Sequence, residues 1–354
     1  MPKANLNHPV LVADTDTVTL GEIMASARLG GWLNTDLEQL RTKLACTALA
    51  EDDELNLDIN ILQTRIDVWR RERDLSAVDE TEAMLQTYGT SLDDLVDYTK
   101  RTLLYEHYRE QHEEARQRFP QSAVNTERLL PLEVIFNQSP TGLLDDFSLR
   151  VVAEQPSVEL SKLERARLLK GTGLPRDHWP ALLLDAYGIP MERSEWLLGK
   201  EVAFRLQRQI LVNEETVFLE FEQNALALVR LAVTSVEVPD KDVAKELLCC
   251  IREDHESLPE AAAHANLDYR SDMWFFSDLD ALPFGTHLPA ARPGDAFGPA
   301  SLGNHYLVLQ LHARYDADLA DTATRARLEK QLIERALRKK AAQRVQYIHS
   351  APLR

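Results

Sequence analysis

The sequence predicts an α+β protein that is mainly helical and carries one small module with strands. Apolar residues recur at helical spacing from residue 20 to residue 112. Residues 225–314 differ, because two strand-like runs at 226–233 and 306–311 flank an amphipathic helical segment at 240–265. Two separated strand-like runs with a helix between them indicate a small α+β module instead of an isolated hairpin.

The length of the chain and its loop signals predict four regions. A chain of 354 residues with 44% hydrophobic content can bury two or three cores. We predict a helical domain at 1–117, a second helical unit at 118–224, the α+β module at 225–314 and a C-terminal helix at 315–354. The first boundary falls in the Pro- and Gly-containing stretch 118–146, which has the strongest loop composition in the chain.

Charge and cysteine usage exclude several function classes. The formal net charge of -17 argues against nucleic acid or an anionic membrane as a partner, because binding to either requires clustered cations. The sequence has no run of about 18 apolar residues and no signal-peptide core, so we expect a cytoplasmic protein without membrane insertion. Cys46, Cys249 and Cys250 form no Cys-x-x-Cys pair, which is typical of reduced thiols.

Local signals predict several helix ends. Thr19 and Glu22 have the spacing of a capping box, and Ser91 has the position of an N-cap. The run 132–136, Leu-Glu-Val-Ile-Phe, is instead strand-like in composition. The long segment 320–348 carries an amphipathic stripe and therefore needs a buried partner surface.

The two helical regions share a short pattern. Three residues of the first region, Leu85, Tyr88 and Gly89, recur at equal spacing in the second as Leu184, Tyr187 and Gly188. A tandem duplication is one explanation. Chance recurrence is the other, since such residues are common at helix ends.

Signatures of metal, nucleotide and hydrolase sites do not occur. The sequence has no His-Glu-x-x-His, no Gly-x-Ser-x-Gly and no Gly-rich phosphate loop. His107 and His112 do not share a helix face, and His305 and His312 fall on opposite faces of a strand. We therefore predict a protein without a metal or cofactor.

Four motifs in the α+β module occur in the order of a known family. They are 229–233 (Val-Arg-Leu-Ala-Val), 272–277 (Asp-Met-Trp-Phe-Phe-Ser), 292–299 (Arg-Pro-Gly-Asp-Ala-Phe-Gly-Pro) and 303–308 (Gly-Asn-His-Tyr-Leu-Val). Parvulin-type (PpiC) peptidyl-prolyl isomerases carry Ala-Arg-His-Ile-Leu, Gly-Asp-Leu-Gly-x-Phe-Ser, Lys-Pro-Gly-Glu-x-x-Gly-Pro and Gly-x-His-Ile-Ile there. The module resembles that family, which implies a parvulin-like fold.

The N-terminal region resembles the helical domain of SurA-type chaperone isomerases. The runs that carry this resemblance are 70–75, 81–85 and 88–95. In that family the helical domain forms most of a peptide-holding cradle, and the C-terminal helix packs on it. The resemblance implies that Leu328, Leu332 and Leu337 pack on the N-terminal half.

The parvulin resemblance also implies a set of site residues. In that family two histidines and a nearby Cys or Asp form the site floor, while a Phe and a Met or Leu hold the proline ring. His305 matches the second histidine and Asp268 the Cys or Asp position. The implied peptide-binding residues are Phe284, Met273, Phe276 and Leu231.

Leu231 stands where the family carries its first histidine. A leucine side chain neither donates nor accepts a hydrogen bond, so the two-histidine floor cannot form with it. His305 then has two interpretations: a surviving site residue or a structural histidine satisfied by the backbone. The adjacent aromatic residues Trp274, Phe275 and Phe276 are expected in a core more than in a pocket, because successive strand residues face opposite sides.

Two functions follow from the resemblance. The first is a peptide-binding chaperone of SurA-parvulin type with weakened or lost isomerase activity, whose client is an extended peptide or unfolded protein such as a ribosomally made precursor peptide. The alternative is an active peptidyl-prolyl cis-trans isomerase. The acidic charge balance predicts a preference for peptides with aliphatic or basic residues. The sequence does not decide the oligomeric state.

Overall fold

The computed structural model describes residues 4–75, 77–120, 126–137, 141–154, 167, 169–172, 174, 178–279, 287–302 and 305–348. The chain forms two compact units. The first unit contains Met1–Ile210 and Glu334–Arg354, and the second contains Leu211–Ile333. Helices dominate the first unit and the second adds a four-stranded sheet, so the predicted α+β class is confirmed.

The first unit is built from helices. They are α1 (Leu20–Gly30), α2 (Asn34–Asp52), α3 (Ile59–Arg71), α4 (Val78–Thr87), α5 (Leu92–His107), α6 (His112–Arg118), α7 (Thr126–Asn137), α8 (Thr141–Val151), α9 (Trp179–Tyr187) and α10 (Met191–Leu211). The predicted capping box of α1 is confirmed, because Thr19 N donates to Glu22 at 2.7 Å and Glu22 N donates to Thr19 Oγ1 at 3.3 Å. Ser91 caps α5 in the same way, with Asp94 as its partner.

A small antiparallel sheet ties the two ends of the chain together within the first unit. Its strands are β1 (Pro9–Ala13), β2 (Asp16–Thr19) and β7 (Val345–Tyr347), in the order β2-β1-β7. Leu11 pairs with Tyr347, and Arg344 Nη2 donates to Asp14 Oδ2 at 2.6 Å. Local sequence does not predict β7, since a three-residue strand has no periodic signal.

The run 132–136 is helical, which corrects the strand-like prediction. It forms most of α7, and Pro131 lies inside this helix. Leu132, Val134, Ile135 and Phe136 are buried, so tertiary packing stabilises a helix that composition alone disfavours.

Glu133 explains part of that stabilisation. Its carboxylate accepts from Lys43 Nζ at 2.8 Å and from Arg101 Nη2 at 2.9 Å. All three side chains are largely buried, and they join α7 to α2 and α5. In a strand, successive side chains would point to opposite faces, so Glu133 and its neighbours Val134 and Ile135 would not all face the interior.

The second unit combines a sheet with flanking helices. Its elements are α11 (Glu214–Asn224), β3 (Arg230–Val238), α12 (Lys241–Glu253), α13 (Leu258–His264), β4 (Arg270–Phe275), α14 (Phe276–Leu279), β5 (Ala296–Leu302), β6 (His305–Tyr315) and the first part of α15 (Thr322–Arg344). The sheet order is β4-β3-β6-β5, and every neighbouring pair is antiparallel. The first strand begins and ends later than the predicted run 226–233, because Ala225–Leu228 forms a 3-10 turn and β3 continues to Val238.

The stripe of α15 is divided between the two units, and only its first part has a different partner from the one implied by the resemblance. Leu328 is fully buried in a cluster with Val217 and Leu228, and Leu332 packs against that cluster. All four residues belong to the second unit, so the expected packing of Leu328 and Leu332 on the N-terminal half is wrong. Leu337 is buried in the part of α15 that belongs to the first unit.

No helix in the described part of the chain combines the length and apolarity that a membrane span requires.

Two glycines that follow Tyr residues give a matched test of the helix ends. Gly89 (φ 60°) and Gly188 (φ 72°) are both left-handed. A Cβ at Gly89 would lie 2.7 Å from Asn5 Cβ, whereas nothing lies within 4 Å of one at Gly188. We expect Gly188→Ala to cost about 1–2 kcal/mol of unfolding free energy through backbone strain alone, and Gly89→Ala about 3 kcal/mol. Urea denaturation measures both, and equal losses would contradict the role of the Asn5 contact.

Candidate functional site

The sheet of the second unit has two differently covered faces. On one face Val236, Val238 and Val308 form a core with α12 and α13. The opposite face carries the apolar residues Val229, Leu231, Val233, Leu307, Leu309 and Leu311, and Leu288 and Ala291 pack on them. The resemblance implies that strands of this sheet form the floor of the site. The position of each predicted residue on the sheet therefore decides which of them lie close together.

Leu231 lies inside the core of this face. Its exposed fraction is 0%. It pairs with Trp274 on β4 and with Arg314 on β6. A peptide cannot touch a side chain without solvent access, so the predicted role of Leu231 in peptide binding requires a rearranged core.

His305 lies at the other end of the sheet from Leu231. It is exposed at the start of β6 and pairs with Leu302. Leu231 instead pairs with Arg314 near the end of β6, roughly 30 Å further along the strand at about 3.4 Å per residue. A histidine at position 231 would therefore not reach His305, and these two positions cannot form a histidine pair.

The other predicted residues divide between the two ends. Asp268 is exposed, just before β4, at the same end of the sheet as His305. Met273 is 47% exposed and pairs with Ala232, next to Leu231. Phe276 packs against the core cluster of Leu231, and Phe284 lies outside the described residues. The structure thus brings His305 to the end that holds Asp268, and Met273 and Phe276 to the end that holds Leu231.

The aromatic residues at the end of β4 behave as expected for strand alternation. Trp274 and Phe276 pack against the apolar cluster. Phe275 instead contacts two guanidinium groups, with Arg327 Cζ 4.8 Å and Arg230 Cζ 6.0 Å from its ring centre. Trp274 and Phe276 thus pack on the core, as expected, whereas Phe275 lies against charged side chains.

Sequence reasoning missed a polar pair on the apolar face. Ser235 Oγ donates to Asp272 Oδ2 at 3.0 Å. Asp272 pairs with Val233, and Ser235 follows Val233 at strand periodicity, so both side chains lie on the same face as the core. The sequence did contain a signal for this pair. Leu231, Val233 and Ser235 alternate along the strand, so the Ser235 hydroxyl is expected on the same face as two apolar residues.

A second polar contact lies on the opposite face. Thr234 Oγ1 lies 2.5 Å from His312 Nε2. Thr234 is buried and His312 is exposed. The hydroxyl therefore satisfies its hydrogen-bonding needs through an imidazole that closes over it, which is a structural role.

The two edges of the sheet differ in how they are protected. β5 carries Pro299, which lacks a backbone N–H, and its register shifts between Phe297 and Ala300. Both features discourage a further strand from pairing with an edge. β4 contains no proline and its register with β3 is regular from Arg230↔Phe275 to Ser235↔Arg270. Among the described residues, β4 pairs with β3 alone.

The side chains of β4 and of the residue before it are largely accessible. Tyr269 is 49% exposed and Met273 is 47% exposed. Arg270 and Ser271 are exposed as well, and Arg270 forms an ion pair with Glu237 at 3.4 Å. This strand offers a row of backbone donors and acceptors together with apolar and charged side chains.

Comparisons with known proteins give a distant structural likeness. No protein-family model and no curated protein matches the chain. Among solved structures, the chain is similar to a peptidylprolyl isomerase (PrsA) from Bacillus anthracis, with 16% sequence identity and a TM-score of 0.33. The similarity covers 57% of this chain and 94% of the PrsA chain.

Proposed function

We propose that this protein binds extended peptide segments as a chaperone of the SurA-parvulin type and has little prolyl isomerase activity. The observation that carries the proposal is the regular edge of β4, which pairs with β3 alone among the described residues, whereas Pro299 interrupts the opposite edge of the sheet. An extended peptide adds to such an edge through main-chain hydrogen bonds, and alternate side chains supply selectivity.

Weak catalysis follows from the positions of the predicted site residues. Rotation about an X-Pro bond has a barrier of about 18–20 kcal/mol. Lowering it requires a dry pocket for the ring with polar groups around the twisting carbonyl. Leu231 is buried and His305 lies at the other end of the sheet, so the described residues supply neither a histidine pair nor a shared floor.

The alternative function is an active isomerase, and one observation favours it. The Ser235–Asp272 pair places a hydroxyl and a carboxylate on the sheet face that carries Leu231, the position that the resemblance aligns with the first family histidine. Proline-limited refolding of a model protein separates the two functions. We expect an acceleration that is small beside that of an ordinary parvulin, and acceleration at the parvulin level would favour the isomerase.

Peptide binding at β4 has a direct test. A β-patterned peptide is compared with two derivatives that are N-methylated at every second residue, in the two alternate registers. Each methyl group removes a backbone donor and leaves the side chains unchanged. We expect one register to weaken binding by about tenfold or more, since several hydrogen bonds of about 0.5–1.5 kcal/mol are lost. The other register should bind nearly normally.

Amide hydrogen exchange then locates the contact. Binding should slow exchange in Arg270–Phe275 of β4, and the other edge strand, Ala296–Leu302, is the internal control. If the peptide protects Ala296–Leu302 instead, or if both methylated registers bind like the parent peptide, then pairing at β4 is wrong.

A further inference from the structure

The first half of α3 carries an apolar stripe that the protein leaves partly uncovered. Ile59, Leu62 and Ile66 follow one another at spacings of three and four, so they share a helix face. Ile59 is 77% exposed, and Leu62 and Ile66 are half-buried. We call the face formed by these three residues the α3 stripe.

The second half of α3 holds the helix firmly in place. Trp69 is the buried residue of α3, and its Nε1 donates to Phe136 O at 2.8 Å. The Trp69 and Phe136 rings meet edge to face at 5.9 Å, and Arg73 Cζ lies 4.4 Å from the Trp69 ring centre. Ile59 is therefore exposed on the first turn of a helix whose second half is fixed by packing and hydrogen bonding.

Carboxylates are concentrated directly before the α3 stripe. Residues 51–58 contain five acidic side chains, all of them exposed, and Glu51 and Glu54 are among them. Some of this charge already has a partner, since Tyr108 Oη donates to Asp53 Oδ2 at 2.9 Å and Arg118 pairs with Asp52. A strongly acidic surface thus adjoins the exposed isoleucine.

The acidic residues stand where local helix physics disfavours them. Glu51 and Asp52 occupy the last turn of α2, which has no basic residue, and Asp53 is its C-cap. The C-terminal end of a helix carries partial negative charge, so carboxylates there are unfavourable. Glu54 adds a left-handed backbone with φ 54°. Residues that destabilise a helix end are expected where they serve a function, such as contact with a ligand.

We propose that the α3 stripe and the carboxylates of Glu51 and Glu54 bind a peptide segment that combines aliphatic and basic side chains. The inference rests on the proposed peptide-binding function and names the class of client and a second contact surface for it. Aliphatic side chains of the client cover Ile59 and Leu62, and its cations face the carboxylates. The charge complementarity selects basic over acidic segments.

The apolar contribution has a matched pair of variants. The probe is a fluorescent peptide of alternating leucine and lysine, and its affinity is measured by anisotropy. Ile59→Ser should weaken binding by about tenfold, because one isoleucine contact is lost. Ile210→Ser is the control, since Ile210 is also an isoleucine near the end of a helix and is 74% exposed. Equal weakening by the two variants would overturn the proposal.

The electrostatic contribution is tested by salt dependence. Glu51→Gln with Glu54→Gln should weaken binding of the leucine-lysine peptide and flatten its dependence on salt concentration. Glu246→Gln with Glu253→Gln, at exposed positions of α12, is the control and should change neither. A leucine-glutamate peptide should bind the unaltered protein at least tenfold more weakly than the leucine-lysine peptide.

The remaining outcomes separate this inference from the proposed function. If the leucine-lysine peptide binds and Ile59→Ser has no effect, peptide binding stands and the α3 surface is wrong. If no peptide binds the unaltered protein, both are wrong. If the unaltered chain sediments as a dimer that Ile59→Ser dissociates, the α3 stripe is instead a contact between two copies of the chain.

Discussion

Leu231→His is expected to unfold or strongly destabilise the second unit and not to increase isomerase activity. Leu231 is 0% exposed and belongs to the core cluster with Val233 and Leu311. The substitution removes well-packed apolar contacts and buries an imidazole in their place. We expect a loss of about 3–5 kcal/mol of unfolding free energy, measured by urea denaturation.

The sequence motif alone suggests the opposite result, because it aligns Leu231 with a family histidine. A conservative control distinguishes the two. Leu231→Met keeps the volume and the apolar character, so we expect a loss of less than about 1.5 kcal/mol. A soluble Leu231→His protein with unchanged stability and increased isomerase activity would show that position 231 lies on an accessible site floor.

Glu133→Ala is expected to destabilise the first unit by about 3–5 kcal/mol. Glu133 is 4% exposed and bonds to Lys43 and Arg101, which are themselves 3% and 9% exposed. Its removal leaves two cations in the interior without their carboxylate. The loss therefore reflects uncompensated buried charge, and it exceeds what the ion pairs contribute relative to an apolar core.

The control for this prediction is an ion pair on the surface of the same unit. Glu113 pairs with Arg116 at 2.5 Å, and both side chains are well exposed. Glu113→Ala should cost less than about 1 kcal/mol, and raised salt should reduce that cost further. Thermal or urea unfolding of the two variants side by side checks the prediction, and similar small losses would show that Glu133 is accessible to water.

The sequence by itself determined the features that depend on neighbours along the chain. The capping box of Thr19 and Glu22 and the N-cap of Ser91 lie where local spacing predicts them. The predicted helical segment at 240–265 forms as α12 and α13. These features are readable because a helix end bonds to residues three or four positions away, so a short stretch contains all the partners.

The motifs in the α+β module predicted its helices and strands. They did not predict which side chains lie close together in the folded sheet. Each strand-like run contributes residues to a strand of one sheet. The register of β3 on β6 then sets Leu231 opposite Arg314 and brings Val238, not Leu231, near His305. A motif specifies what lies along each strand, whereas the separation of two motifs in space depends on pairing between residues distant in sequence.

Only the tertiary structure decided which surfaces are covered. The periodicity of α15 indicates only that its apolar stripe is buried. The structure shows that Leu328 packs with Val217 and Leu228 and not with the N-terminal half. The strand-like run 132–136 is a buried helix in which Glu133 pairs with Lys43 and Arg101. Ile59 has the same spacing as the buried residues of other helices and remains exposed. The physical reason is shared by all three: burial and charge compensation are set by contacts between remote segments, and local periodicity states only that a partner is needed.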